Sequence, residues 1–188
     1  MAIVPAADWR GEMRRVLRER NYAFCDDEAP QLPAAQFEAR PGEEAELLHL
    51  GLDSSSCDRE GQDIDNTLDD EYTFWSSAGT SPDADEHLTY CFKFPLCRLT
   101  RVDIKVFRAT FQFGDPIYPA QQVSFKIGSS RQNLWQVPGC FQMAASDDWQ
   151  SYPMPATAPV GQLLMVCLHR KCQMQWGDRR FYVALQQR

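Results

Sequence analysis

Arg101-Val-Asp-Ile-Lys-Val106 and Val123-Ser-Phe-Lys-Ile-Gly128 both read with a period of two. Val102, Ile104 and Val106 alternate with Arg101, Asp103 and Lys105, while Val123, Phe125 and Ile127 alternate with Ser124 and Lys126. Successive side chains of a strand point to opposite faces, so each stretch is a strand with one apolar face and one wet face. Further strands are expected at Leu88–Phe94, Ala109–Phe113, Leu134–Met143, Leu163–Arg170 and Phe181–Gln186, set apart by Gly, Pro, Ser and Asp. A short apolar run, Leu47 to Leu52, opens the series. Leu163 to Leu168 is apolar on both faces, which suits a central strand. Short strands joined by turn-rich loops, with no helical pattern between them, predict a mainly β, antiparallel sandwich rather than a βαβ fold.

Two segments precede this body. In residues 1–25, Asp8 can cap a helix in which Trp9, Met13, Val16 and Leu17 recur at helical spacing, with Arg10, Arg14, Arg15 and Arg18 on the other side. An amphipathic stripe of this kind needs a surface to cover, which makes Trp9, Met13 and Leu17 candidate partner-binding residues. Residues 26–46, acidic and punctuated by Pro30, Pro33 and Pro41, read as an extended linker. The domain plan is therefore helix 1–25, linker 26–46 and sandwich 47–188.

A chain of 188 residues, 44% of them hydrophobic, supports one well-buried core. Its net charge of −7 is unevenly spread. Residues 1–90 carry 21 acidic and 7 basic side chains, a local charge of −14, whereas residues 91–188 carry 5 and 12, a charge of +7. Acidic entry loops lying across a mildly basic β-body would neutralise part of that asymmetry. The basic residues of the second half are scattered, which argues against nucleic acid as a partner. No apolar run approaches the length of a membrane span, and no signal peptide is read at Met1 to Pro5. Seven cysteines at irregular spacing and no N-x-S/T acceptor favour an intracellular protein, in cytoplasm or nucleus, with free and mostly buried thiols.

The inventory for catalysis is thin. There are three histidines, no GxSxG elbow, no P-loop and no Gly-rich fingerprint, so no catalytic residues and no cofactor are assigned. Cys167, His169 and Cys172 could supply metal ligands from one strand face, but zinc normally takes two close pairs from separate turns, and no metal site is assigned. Asp63, Asp65, Asn66, Asp69, Asp70 and Glu71 are dense in oxygen but lack EF-hand spacing, so they read first as a solvated loop. Among the tryptophans, Trp75, Trp135, Trp149 and Trp176 are candidate stacking platforms. Trp75 reads as core, and Trp149, in a loop-like stretch, as the best exposed one.

The series Leu52-Asp-Ser-Ser-Ser-Cys57, Tyr72-Thr-Phe-Trp-Ser-Ser-Ala-Gly79 and Glu86-His-Leu-Thr-Tyr90 resembles the opening of discoidin-type, galactose-binding-like β-sandwiches. With Asp65-Asn-Thr-Leu68, Leu96-Cys97, Phe107-Arg-Ala-Thr-Phe-Gln-Phe-Gly114, Pro116-Ile-Tyr-Pro-Ala120 and Val123–Gly128, residues 50–188 look like the C-terminal region of a plant and algal family of F-box proteins. The resemblance implies a jelly-roll sandwich that recognises a target, and an F-box that docks to the Skp adaptor of a cullin ubiquitin ligase. The F-box itself is not read in this chain; only the helix and linker precede the sandwich.

The expectation is thus a non-enzymatic protein-recognition module, either a substrate receptor or an accessory subunit of a larger assembly. The alternative is a lectin-like module that binds a glycan, with calcium support at Asp65 to Asp70. Recognition should sit on end loops, namely Thr80–Asp85, Asp115–Tyr118, Ser129–Asn133 and Ser146–Tyr152. Tyr118, Arg131 and Trp149 are the candidate partner-binding residues there. Between Phe107 and Tyr118 the aromatic density allows both core and partner-facing roles.

Overall fold

The computed structural model describes residues 47–69, 71–93 and 97–187. Residues 1–46, and with them Trp9, Met13, Leu17, the expected helix and the acidic linker, lie outside the described residues.

The first sheet contains β1 (Leu48–Ser54), β3 (Glu86–Phe92), β9 (Leu163–Lys171), β5 (Ala120–Gly128) and β6 (Leu134–Gln136) in that spatial order, with β7 (Phe141–Gln142) also pairing β5. The second contains β2 (Phe74–Ser76), β12 (Ala184–Gln186), β4 (Arg101–Val106) and β8 (Trp149–Pro153). A small hairpin, β10 (Gln173–Met174) and β11 (Phe181–Tyr182), completes the strands. All pairings are antiparallel, as the alternating pattern requires. The doubly apolar run became β9, held between β3 and β5 at the centre of its sheet.

The alternating residues pack as predicted. Val102, Ile104 and Val106 of β4 meet Val123, Phe125 and Ile127 of β5 and Leu164, Val166 and Leu168 of β9 in one core between the sheets. Trp75 is fully enclosed there, and its indole N–H donates to the Ser56 carbonyl at 3.0 Å, so the one polar atom of a large apolar body is satisfied.

Four expectations need correction. Ala109–Phe113 is not a strand but a chain of turns, because Gly114 (φ +82°) and Asp115 (φ +46°) take left-handed conformations, and the amides of Gln112 and Asp115 bond back to Ala109 and Gln112. Leu134–Met143 is split into β6 and β7 at Pro138-Gly139, where Gly139 has φ +114°. Trp149 to Tyr152 is the edge strand β8 rather than a loop; only Tyr152 is buried in it, so its pattern gives a faint strand signal. Finally, Cys57, Cys140 and Cys172 are exposed thiols, and burial is confined to positions such as Cys97 and Cys167.

One close approach fixes the far end of the sandwich. A Cβ on Gly161 would stand 2.3 Å from the Gly128 carbonyl oxygen, and a Cβ on Gly128 would stand 1.7 Å from that of Asn133. Neither position admits a side chain without moving backbone.

Replacing Trp75 by Ala should cost about 3–5 kcal/mol of unfolding free energy, the usual range for emptying a fully buried aromatic site. Urea denaturation checks this, and a loss below about 1 kcal/mol would mean that the indole is not the packing centre described.

Candidate functional site

The outer face of the second sheet carries a second, smaller apolar cluster. Ala109, Tyr118, Tyr182 and Ala184 are buried in it, with Phe74 and Phe107 packed against them. Ala184 and Phe74 sit one residue from Leu185 and Trp75, which point into the main core, so strand alternation forces them outward. Two connections fold over this face, the turns from Phe107 to Pro119 and the β10–β11 hairpin. Between them and the Asp58–Gln62 turn lies a cleft of about 280 Å³.

Small side chains make its floor and aromatic ones its wall. Ser76 and Ala184 leave room above the sheet, while Phe74 and Phe107 stack at 3.8 Å with an interplanar angle of 12°, and Phe111 lies 6.5 Å from Phe74. Gln62, Gln112, Gln175, Asp58 and Arg59 supply the polar groups. Phe111 is 71% exposed, Phe113 beside it fully so, and Trp176, at the tip of the β10–β11 hairpin, 81% exposed. Of these, Phe111 lines the cleft, and an exposed aromatic in a concave, partly polar surface makes it the candidate site.

Two tyrosines brace the site. Tyr182 donates its hydroxyl to Asp178, which holds that carboxyl below its ordinary 3.8; burial and then the carboxylate push the phenol upward. Tyr118 donates to Gln112 across the turn, and burial raises its phenol too. The two rings meet edge to face at 6.3 Å.

The expected site residues do not converge. Tyr118 is only 4% exposed, packed beneath the turns, so it supports the cleft from below and offers no surface platform of its own. Arg131 lies in the turn between β5 and β6 and pairs with Asp53 of β1 at 3.5 Å. Trp149, 51% exposed, stands on the outer face of the second sheet. Trp135 is exposed on the edge strand β6, and Trp75 is core. Phe111, Phe113 and the Asp58–Gln62 wall were not singled out from sequence. The run Gln112-Phe-Gly-Asp-Pro116 held the signal, since Gly-Asp-Pro is a turn sequence and turns expose their side chains.

The other clusters are structural in geometry. His169 shares its Nε2 with Ser124 Oγ at 2.8 Å and its Nδ1 with Asp85 Oδ2 at 3.0 Å, and Asp85 also accepts from the Arg170 amide at 3.0 Å. This is a Ser-His-Asp order, yet Ser124 sits mid-strand in β5, which is paired along both edges. Among the described residues no helix N-terminus follows Ser124, whose strand runs on to Gly128. The set clips the loop before β3 to β9 and β5. Both nitrogens of His169 are thereby engaged, and among the described residues no group of three His, Cys, Asp or Glu is arranged to hold a metal ion. In the acidic turn, Asp63 caps the short 3-10 helix Ile64–Thr67, and Asn66 donates to the carbonyls of Gly61 and Phe74.

The β-sandwich fold is shared with solved carbohydrate-binding modules. One such neighbour is chitosan-binding module 2 of a chitosanase/glucanase from Paenibacillus sp. IK-5, solved with chitotriose: TM-score 0.53, 14% identity, covering 71% of this chain and 88% of that one. Another is the third CBM32 module of a family 31 glycoside hydrolase from Clostridium perfringens: TM-score 0.53, 14% identity, covering 72% and 85%. In sequence, the chain is similar to the F-box protein At4g00755 of Arabidopsis thaliana, 27% identical over 139 residues, covering 60% of this chain. It spans 37% of the length of that relative. No protein-family model matches.

The His169 hydrogen bond, followed by the Arg170 amide, holds the Asp85 carboxyl below its ordinary 3.8. A carboxyl depressed on folding adds stability that is complete above 3.8 and disappears as the pH falls through the lower folded value. Asp85→Asn should therefore be less stable than wild type at neutral pH, by less than about 1 kcal/mol because the pair is half exposed. Thermal melts at stepped pH should show the two proteins converging at the acid end; a difference that persists there would contradict the assignment.

Proposed function

We propose that the chain is a non-catalytic, intracellular protein-recognition module that holds its target in the aromatic cleft on the second sheet. The observation that carries this reading is the exposed Phe111 in a cleft walled by the stacked Phe74 and Phe107, with the exposed Phe113 and Trp176 next in sequence to the lining residues Gln112 and Gln175. Aromatic side chains offer large contact area with few rotatable bonds, and they are enriched among the residues that dominate protein–protein binding energy. The similarity to an F-box protein supports a role as substrate receptor of a ubiquitin ligase, or as an accessory subunit that kept the sandwich.

A glycan is the second reading. It is favoured by the three glutamine carboxamides beside an exposed phenylalanine ring, since planar amides can bond vicinal hydroxyls while the ring covers the C–H face of a sugar. The fold neighbours that bind chitosan lend it support.

A photo-crosslinking amino acid placed at Phe113, in the protein expressed in plant or algal cells, should capture a discrete protein, and the same group at Arg98 should not. Phe111→Ala should reduce the capture about tenfold, the effect of losing one well-packed aromatic anchor. Equal capture from both positions would reject the cleft as the recognition site. Binding to a glycan array that Phe111→Ala abolishes, with no protein captured, would replace the protein reading by the glycan one.

A further inference from the structure

From Phe74 in the cleft wall, a row of outward side chains leads across the sheet. Phe74 of β2 is opposite Gln186 of β12, Gln186 is opposite Lys105 of β4, and Lys105 is opposite Trp149 of β8. Residues directly opposite in antiparallel pairs share a face, and the neighbours Trp75, Leu185 and Ile104 belong to the inner core. All four side chains therefore stand in one straight row on the outer face, crossing every strand of the sheet. Three strand spacings of about 4.8 Å separate its aromatic ends by about 14 Å.

The middle of the row carries a charge with no counter-ion among the described residues. Asp103, the nearest carboxylate on the same face of β4, is taken by Arg101 at 2.8 Å and by the Ser151 hydroxyl at 2.5 Å. Lys105 makes no ion pair or hydrogen bond among the described residues. Lys105, half-buried as a residue and set between Trp149 and Gln186, is complementary to a carboxylate brought by something else.

We propose that an extended acidic segment of a partner protein crosses the outer face of the second sheet along this row. One apolar side chain lies in the cleft against Phe74, an acidic side chain pairs with Lys105, and a second apolar side chain lies on Trp149. The spacing matches. In an extended peptide alternate side chains fall on one side about 7 Å apart, so the ends of a 14 Å row take positions i and i+4, with the acid at i+2. A peptide fits better than an oligosaccharide here, because among the described residues the row itself offers only Gln186 and Lys105 as polar groups between its aromatic ends, and the neighbouring Asp103 is already engaged by Arg101 and Ser151. This inference rests on the cleft being the recognition site, and it adds the direction, length and charge of the ligand.

The test is selection from a phage-displayed random peptide library on the full chain. The expected result is enrichment of sequences with apolar or aromatic residues flanking an Asp or Glu at alternate positions. Trp149→Ala should weaken the selected peptides about tenfold, and Lys105→Glu should exchange the central acid for a Lys or Arg. Both positions are on the outer face of the sheet, and thermal melts should confirm that the variants remain folded. Peptides that need Phe111 but are indifferent to Lys105 and Trp149 would leave the cleft standing and overturn the row. No enriched peptide, with a uronate-containing oligosaccharide bound instead, would overturn both. A carbodiimide cross-link from Lys105 to a carboxylate within residues 26–46 would assign the row to the chain's own acidic segment and overturn the partner.

Discussion

Lys171 and Glu86 form an ion pair at 2.6 Å with side chains 0% and 5% exposed, and the cleft end of the sandwich is assembled around it. Charges taken out of water need every hydrogen-bonding site filled, and here they are. The Lys171 ammonium also donates to Ser77 Oγ at 3.1 Å and to the Ala78 carbonyl at 2.7 Å. The other oxygen of Glu86 accepts from the hydroxyls of Ser55 and Ser56. Ser77 Oγ in turn accepts from the Val183 amide, and Ser56 Oγ from the Ala78 amide. One pair of opposite charges thus ties the ends of β1, β2, β3, β9 and β12 together. Such a pair is weak as a source of net stability but strict in what it permits, because losing one partner strands the other charge in the interior.

The cleft inherits that strictness. Asp58 follows two residues after Ser56 and donates its amide to the Ser76 carbonyl at 3.0 Å, while Tyr182 and Ala184 flank Val183. The floor and two walls are therefore continuous with the network, and the Phe107–Pro119 turns join it through Ala184, whose carbonyl accepts from the Phe107 amide at 3.0 Å and whose amide donates to the Tyr118 carbonyl at 3.0 Å; the Phe74–Phe107 stack and the bond from the Ala109 amide to Pro116 add to this. A surface prepared in this way binds without first ordering its loops, which is where rigid scaffolds gain affinity over flexible ones.

Much of the fold was legible because the core strands obey one rule. Val102 to Val106 and Val123 to Ile127 alternate, and alternation names both the strand and its inner face. The discoidin-like resemblance rested on Phe74-Trp-Ser-Ser and Glu86-His-Leu-Thr-Tyr90, and these segments hold Trp75, Ser77 and Glu86, parts of the core and of the buried network. The site was less legible for a physical reason. Phe111 and Phe113 alternate like strand residues, and only the left-handed backbone at Gly114 and Asp115 turns them out to solvent. Tyr118 looked like a loop residue and is buried, because the neighbouring turns fold over it. The row from Phe74 to Trp149 is invisible in sequence, being made by register between strands far apart in the chain.

The Lys171–Glu86 pair keeps the cleft in place, and hydrogen exchange in Glu86→Gln measures that directly. Gln can still accept from the serines but leaves the buried ammonium uncompensated. The amides of Ala78, Val183 and Ala184, and those of the Asp58–Gln62 turn, should exchange at least tenfold faster, while Phe125 and Val166 in the centre of the first sheet keep their protection. Unchanged exchange around the cleft would show that the site is held by something other than the Lys171–Glu86 pair and would contradict the account.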